Sequence, residues 1–361
     1  MAYYYDILNS SDDEDIVQMI NRRPKVFKPR RNYFEELDDI EFKMRFRLEK
    51  QTVILLCNEI EHLLKFPANK NNPISPINQV LLTLRLLATG SFYITMGDFI
   101  DVSTVIAHRI MSRVTKVIAS LRLHYIKFPS TIAEIRREQE QFYAIAGFPK
   151  VISCIDCTHI RIQSFGGPDA ELFRNRKGYF SLNVQAVINA NLEITDIVTR
   201  WQGSAHDSTI FNNSRLCATF EASHYRDAIL LGDSGYPLKQ YLLTPILYPR
   251  NPAEERYNEA HIRTRNTVER LFGVWKRRFP ILALGIRYSV ERTMTTIVAA
   301  AVLHNIARRN TDPMPPCDPD LNMPEWDNPE YNNVPAPILQ DPPAQNSFVQ
   351  NNIINNYFNR V

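Results

Sequence analysis

The chain has 361 residues, 44% of them apolar, and a formal net charge of +3. That supplies a core for one or two domains and excludes a chain disordered throughout, while so small an excess of cations excludes a polycation that would bind nucleic acid by total charge alone. Five dispersed cysteines, an odd number, exclude a disulfide-stapled scaffold and predict a reducing compartment.

The opening stretch, MAYYYDILNSSDDED, lacks the cationic and apolar blocks of a leader, and the longest apolar run, IVAAAVL from Ile297, is too short to cross a bilayer. A soluble protein with no membrane partner is expected. Residues 1–33 are read as a flexible segment that passes from acidic (SSDDED) to basic (RRPKVFKPRR, Arg22 to Arg31). Pro24 and Pro29 keep the basic run out of a helix interior. It is either a charge-balancing linker or a nuclear-import signal or phosphate-contacting arm.

Residues 34–130 carry a helical period. Phe46, Val53, Leu56, Ile60, Leu63 and Leu64 recur at near-helical spacing. Beyond the break at Pro73 and Pro76, so do Ile77, Val80, Leu81, Leu84, Leu87 and Ala88, a run that Gly90 ends. Thr95 and Ser103 are candidate N-caps for a short helix, MGDFI, and a longer one from Thr104 to about Leu121. Helix, tight turn and helix suit a DNA-reading module, with Arg109, Arg113 and Lys116 at i, i+4 and i+7 forming one basic face beside Thr104 and His108. A plain helical bundle with a solvated charged face is the alternative.

Residues 131–309 change period. KVISCIDCTHIRI reads as one strand, and YFSLNVQAVINANLEITDIVTRW reads as two strands joined at the NAN turn around Ala190. SAHDSTIFNNSRLCATFEA reads as helical, AILLGDSGY as a buried strand, and further helices run through Glu269 and from Ser289 to Arg308. This order predicts an α/β fold, an RNase H-like mixed sheet with flanking helices, preceded by an all-helical, helix-turn-helix-like domain. Residues 310–361, rich in Pro and Asn, are expected to be a disordered tail with a short binding segment near Ile353 to Phe358.

Four acids stand out in this pattern. Asp156 shares a strand face with Ile152, Cys154, Thr158 and Ile160, where a charge is costly unless paired or coordinated. Asp233 ends its strand at GDSGY, where Gly232 and Gly235 permit close backbone approach. Glu269 borders the helical stripe of Val268, Leu271, Phe272, Trp275 and Phe279. Asp207 either ligates a metal or caps the helix after it. Carboxylates drawn together repel and raise one another's pKa unless a hard cation compensates them, so the group predicts Mg²⁺ or Mn²⁺. Two such ions would activate water and steady the leaving oxygen of a phosphodiester. Ordinary ion pairs and caps are the bland account of the same acids.

Cys154 and Cys157, three apart in a strand, point to opposite faces and are read as packing residues. His159, His206 and His261 are read first as hydrogen-bonded structural groups. Arg174, Arg176, Lys177, Lys276, Arg277 and Arg278 lie among aromatics in FRNRKGY and WKRRF and are candidate phosphate contacts.

The segments CIDCTHI, RNRKGYFSLNVQAV, GSAHDS, LLGDSGYPL, RNTVERLFGVWKRRF and LHNI, in this order, resemble those of the Harbinger transposase-derived nuclease family, related to PIF/Harbinger transposases, from about Phe34 to Arg309. The resemblance implies a DDE nuclease with DNA as substrate, a divalent metal, a nuclear location and a Myb-like partner protein that aids DNA binding and nuclear entry. By motif it carries Asp156, Asp233 and Glu269 over as catalytic acids, with Asp207 as a further metal ligand. Cys157 departs from the family's usual Gly after the first Asp, with its side chain expected to point away from Asp156. A catalytically silent, domesticated DNA-binding protein and a metal phosphatase or RNase are the alternatives, and an oligomer is compatible with the sequence.

Overall fold

β-branched and aliphatic residues dominate the five segments that form a single sheet: β1 (Val151–Arg161), β2 (Ser181–Ile188), β3 (Ile194–Gln202), β4 (Ile229–Leu231) and β5 (Leu242–Leu243). The computed structural model describes residues 31–66, 73–222, 224–315 and 344–359. Strand order is β3-β2-β1-β4-β5. β1 to β3 form an antiparallel meander, and β4 and β5 run parallel to β1. The NAN turn is where the pattern placed it, with the Asn189 side chain accepting from the backbone N–H of Asn191 and of Glu193. This is the RNase H-like mixed sheet expected from the order of elements.

Helices cover both faces. Ahead of the sheet lie α1 (Tyr33–Glu36), α2 (Asp39–Phe46), α3 (Lys50–Leu64), α4 (Pro76–Thr89), α5 (Tyr93–Phe99), α6 (Thr104–Ser120), α7 (Arg122–Tyr125) and α8 (Ile132–Ala146). α9 (Asp207–Asn212) and α10 (Arg215–Glu221) follow β3, and α11 (Pro252–Arg278), α12 (Ile281–Leu284) and α13 (Val290–Arg309) follow β5. One face of the sheet packs with α8, α11, α13 and the N-terminal helices in a continuous apolar cluster. The other face packs Ile152, Ile155 and Val187 against Phe211, Leu216 and Phe220 of α9 and α10. Apolar packing therefore crosses residue 130 without a break.

A register irregularity between Val151 and Ser153 alters the expected alternation. Ile152 joins the α9 and α10 side, whereas Cys154 and Ile160 pack on the α11 side. The helical region departs in detail too. Ser103 caps α6, its Oγ accepting from the N–H of Ile106, but α5 begins two residues before Thr95, with Phe92 at its N-cap. The single helix expected after β3 is two short ones. Among the elements not foreseen are α8, whose N-terminus is held by a capping box between Thr131 and Glu134, and the two-residue β5.

The expectation of a disordered tail from residue 310 is corrected at both ends. Asp312 is buried and accepts from Thr52 Oγ1 (2.5 Å) and from the Glu49 N–H (3.1 Å), which ties the chain after α13 to α3. Farther on, α14 (Ala344–Ile353) and a π-turn (Ile354–Phe358) lie on α11. Phe358 inserts beside Phe148 and Tyr257, and Gln350 donates to the Thr244 carbonyl. Aromatic burial against a long helix outweighs a composition that by itself sustains no period. Similarly, Tyr33 belongs to the core and not to a flexible segment. Residues 316–343 and the basic run ahead of Arg31 lie outside the described residues.

Candidate active site

Asp156 sits mid-way along β1, opposite Ala186 of β2. It is on the face covered by α11, and only 8% of it is exposed. β4 ends at Leu231 beside Cys154, so Asp233, two residues on, arrives next to Asp156. Gly232 makes that approach feasible, because a Cβ there would meet the ring of Tyr236 at 2.9 Å. The Asp233 carboxylate closes an Asx turn by accepting from the Gly235 N–H. Asp207 is the first residue of α9. His206 occupies the N-cap position, so the capping role weighed for Asp207 does not arise. One oxygen from each of Asp156, Asp207 and Asp233 lies within 4.8 Å of the others.

Burial, followed by the charges of Asp233 and Asp207, pushes Asp156 upward, while Arg265 pulls it down. Burial also raises Asp207, against a hydrogen bond from Asn183. The neighbouring carboxylates thus make Asp156 and Asp207 costlier to ionise, the situation a bound cation relieves. Asn183 of β2 gives a further sign of fit. Its Nδ2 donates to Asp207 Oδ1 and to the Ala205 carbonyl, both at 2.9 Å, while its own Oδ1 is buried with no partner among the described residues. Three hard carboxylate oxygens beside an unused amide oxygen suit Mg²⁺ or Mn²⁺. The sequence signal for Asn183 was present, as a polar residue inside the apolar run SLNVQAVI, and was not read.

Glu269 stands apart from the three aspartates. It is exposed, its carboxylate lies outside their group, and Arg265, one turn earlier on α11, donates to it at 2.7 Å. The other terminal nitrogen of Arg265 donates to Asp156 Oδ2, also at 2.7 Å. Arg265 is a second functional neighbour that sequence reasoning missed. Its signal was the i, i+4 spacing to Glu269 in RNTVE.

Cys157 points away from the α11 face, as strand alternation requires. It nevertheless borders the aspartates, with its thiol 3.3 Å from the Tyr236 hydroxyl and hydrogen-bonded to Asp207. Cys154 packs with Sγ 3.6 Å from the Thr264 carbonyl. His261 is fully buried on the Leu243 carbonyl, and burial brings its pKa down to about 4. His159 bonds Ser181 Oγ. His206, exposed and 2.5 Å from Arg176, directly precedes Asp207.

The candidate phosphate contacts separate into distinct states. Arg109 and Lys116 are exposed on α6. Arg113 does not stand free on that face: it donates to the carbonyls of Leu63 and Lys65 at the end of α3 and stacks on Phe66. His108 is likewise engaged, by Arg292. Arg174 pairs with Glu171 and lies over Phe180, while Arg176 is exposed near Asp207 and Lys177 is exposed next to it in the chain. Lys276 and Arg278 are corrected outright. Both are buried, and Arg278 donates to the carbonyls of Arg47 and Pro313, so no phosphate can reach them. Arg277 between them is half-buried. The last turn of α11 enters the core between the N-terminal helices and the chain after α13, which the pattern of WKRRF did not reveal.

The family described as DDE superfamily endonuclease matches residues 155–305, a span that starts one residue before Asp156 and contains Asp207, Asp233 and Glu269. A Homo sapiens protein named "Putative nuclease HARBI1" is 34% identical over 278 residues, covering 75% of this chain and 79% of that one. This chain belongs to the Harbinger transposase-derived nuclease family. The Mus musculus protein of the same name is 32% identical, with 87% of each chain covered. An Arabidopsis thaliana protein named "Protein ALP1-like" is 24% identical over 77% of this chain and 73% of its own. No solved structure matches. As a family member the chain carries a nuclease domain of the DDE type on an RNase H-like sheet. Among the described residues no helix is long and apolar enough to cross a membrane.

Proposed function

We propose that the protein is a divalent-metal-dependent DNA endonuclease that hydrolyses phosphodiester bonds at the aspartate group. The observation that carries this reading is the convergence of Asp156, Asp207 and Asp233, from β1, α9 and the loop after β4, within 4.8 Å. Such a convergence of like charges is unfavourable without a counter-cation and serves no packing purpose. Asp156, Asp207 and Asp233 would hold the metal, with Glu269 as a fourth ligand reached from α11. Mg²⁺ or Mn²⁺ at this place, as a pair, would supply an activated water, a stabilised leaving 3′ oxygen and charge compensation at phosphorus.

The chain's own residues contribute orientation and charge. The Cys157 N–H fixes Asp156 through Oδ1 at 2.8 Å, and Asn183 fixes Asp207. Arg176 edges Asp207 with positive charge, and it and Lys177, with Arg109 and Lys116 on α6, would draw and contact the DNA backbone. A helix-turn-helix role for α5 and α6, a Myb-like DNA-binding partner and a nuclear location complete the proposal. They are supported by the basic α6 surface and by the family.

Plasmid nicking tests it. Wild-type protein should nick supercoiled DNA with Mg²⁺ or Mn²⁺ and not with EDTA, and Asp156→Asn should lose more than about 100-fold of that activity, since even outer-shell partners of a metal are worth 10–100-fold. A second reading, a silent scaffold whose acids serve ion pairs, is favoured by the bridge from Arg265 to Asp156 and Glu269. It predicts no metal-dependent cleavage of any duplex, with or without the partner.

A further inference from the structure

We propose that Arg265 is an internal latch on the metal site, its guanidinium standing between Asp156 and Glu269 in the ion-free protein and withdrawing when divalent metal binds. The inference builds on the reading of the three aspartates as the metal site and adds how that site is kept intact and guarded without its ion.

Three observations carry it. Arg265 spends its two terminal nitrogens on two different carboxylates, each at 2.7 Å. Asp156 then has neither oxygen idle, because Oδ1 accepts the Cys157 N–H and Oδ2 accepts Arg265. Glu269 lies outside the close group, with its oxygen turned back along α11 to Arg265.

Physically, a guanidinium and a hard dication are alternatives at one place. The buried aspartate is paired with a positive neighbour, and Arg265 supplies it from the same helix that carries Glu269. A metal ligated by Asp156 and Glu269 would both replace that charge and repel it. The flank toward Asn266 and Glu269 is exposed, which gives the guanidinium an outward path. Release of Arg265 and capture of Glu269 are then one event, because a single side chain restrains both acids.

Mn²⁺ binding to the full-length, DNA-free protein tests the latch without relying on cleavage. Titration calorimetry or the electron paramagnetic signal of free Mn²⁺ should show Arg265→Gln binding Mn²⁺ at least about tenfold more tightly than wild type, since a competing like charge is gone. Damage to the fold would weaken binding, so an increase marks competition specifically. Equal or weaker binding by a folded Arg265→Gln protein overturns the latch alone. No binding by either protein overturns the metal reading and the latch with it. Should the variant fail to fold, a crystal structure of the wild-type protein with Mn²⁺ decides. The latch requires both Arg265 contacts to open beyond about 4 Å, and an ion seated on the aspartates with Arg265 still bridging refutes it.

Discussion

The middle and the last turn of α11 carry cations of the same kind to opposite ends. Arg265, in the middle, faces two carboxylates at a partly open mouth beside the sheet. Arg278, at the end, is sealed in the core with two backbone carbonyls as acceptors, and burial brings its pKa down to about 10, so it remains charged at neutral pH. A charge matched by mobile charges at an opening can be exchanged for another cation. One matched by fixed backbone dipoles in the core can only be kept or lost. The first arrangement suits a site, and the second ties elements distant in sequence into one fold.

The sharpest way to break this comparison is to remove the acid that Arg265 serves. Asp156→Asn should abolish metal-dependent cleavage yet leave a folded protein, whose melting temperature without metal equals or exceeds that of wild type because a buried charge is gone. A variant that unfolds would make Asp156 a structural ion-pair residue. Next in size, Arg278→Met should cost about 2–4 kcal/mol of stability by stranding the carbonyls of Arg47 and Pro313. Chemical denaturation measures this, while cleavage per folded molecule and the salt dependence of DNA binding stay at wild-type values. A drop in DNA affinity at unchanged stability would return Arg278 to the phosphate-binding set.

A smaller effect separates two neighbours on α6. Arg109→Ala should lower the salt slope of DNA binding by about one, as expected for one lost phosphate contact, without affecting stability. Arg113→Ala should instead cost about 1 kcal/mol of stability by uncapping α3 and leave the slope alone. The reverse pattern would show that α6 presents Arg113, and not Arg109, to DNA.

The smallest expected effect tests burial of an acid far from any cation site. Burial, with the charge of Glu193 beside it, raises Glu138 of α8 to about 7. A carboxyl raised in the folded state holds its proton longer there than when unfolded, so its penalty is absent below about pH 4.5 and grows as pH rises through 7. Wild-type stability should therefore decline over that window more than that of Glu138→Gln, as thermal melts at several pH values would register. Parallel curves would show that the Glu138 carboxyl titrates alike in folded and unfolded chains.

Much of the site was legible because short side chains follow their backbone. Asp156 and Asp233 stand where strand alternation and the GDSG turn put them, and the apolar stripe of Val268, Leu271, Phe272, Trp275 and Phe279 is buried as its spacing predicts. The cations were less legible. Arg113, Lys276 and Arg278 have reaches long enough for neighbours from other elements to decide their role. The ordered ends of the chain were hidden for a related reason, since Asp312, Ile354 and Phe358 gain their order from partners on α3 and α11 and not from local propensity.

The sequence by itself determined the sheet, the meander with its NAN turn, the helical N-terminal region and the three aspartates, because hydrophobic period and turn chemistry act over a few residues and need no partner. Only the tertiary structure decided that Arg265 also reaches Asp156, that Asn183 stands beside Asp207, and that the end of α11 is core and not surface. Those outcomes depend on which elements meet, and charge and donor pairing between elements 24 to 231 residues apart is settled by packing.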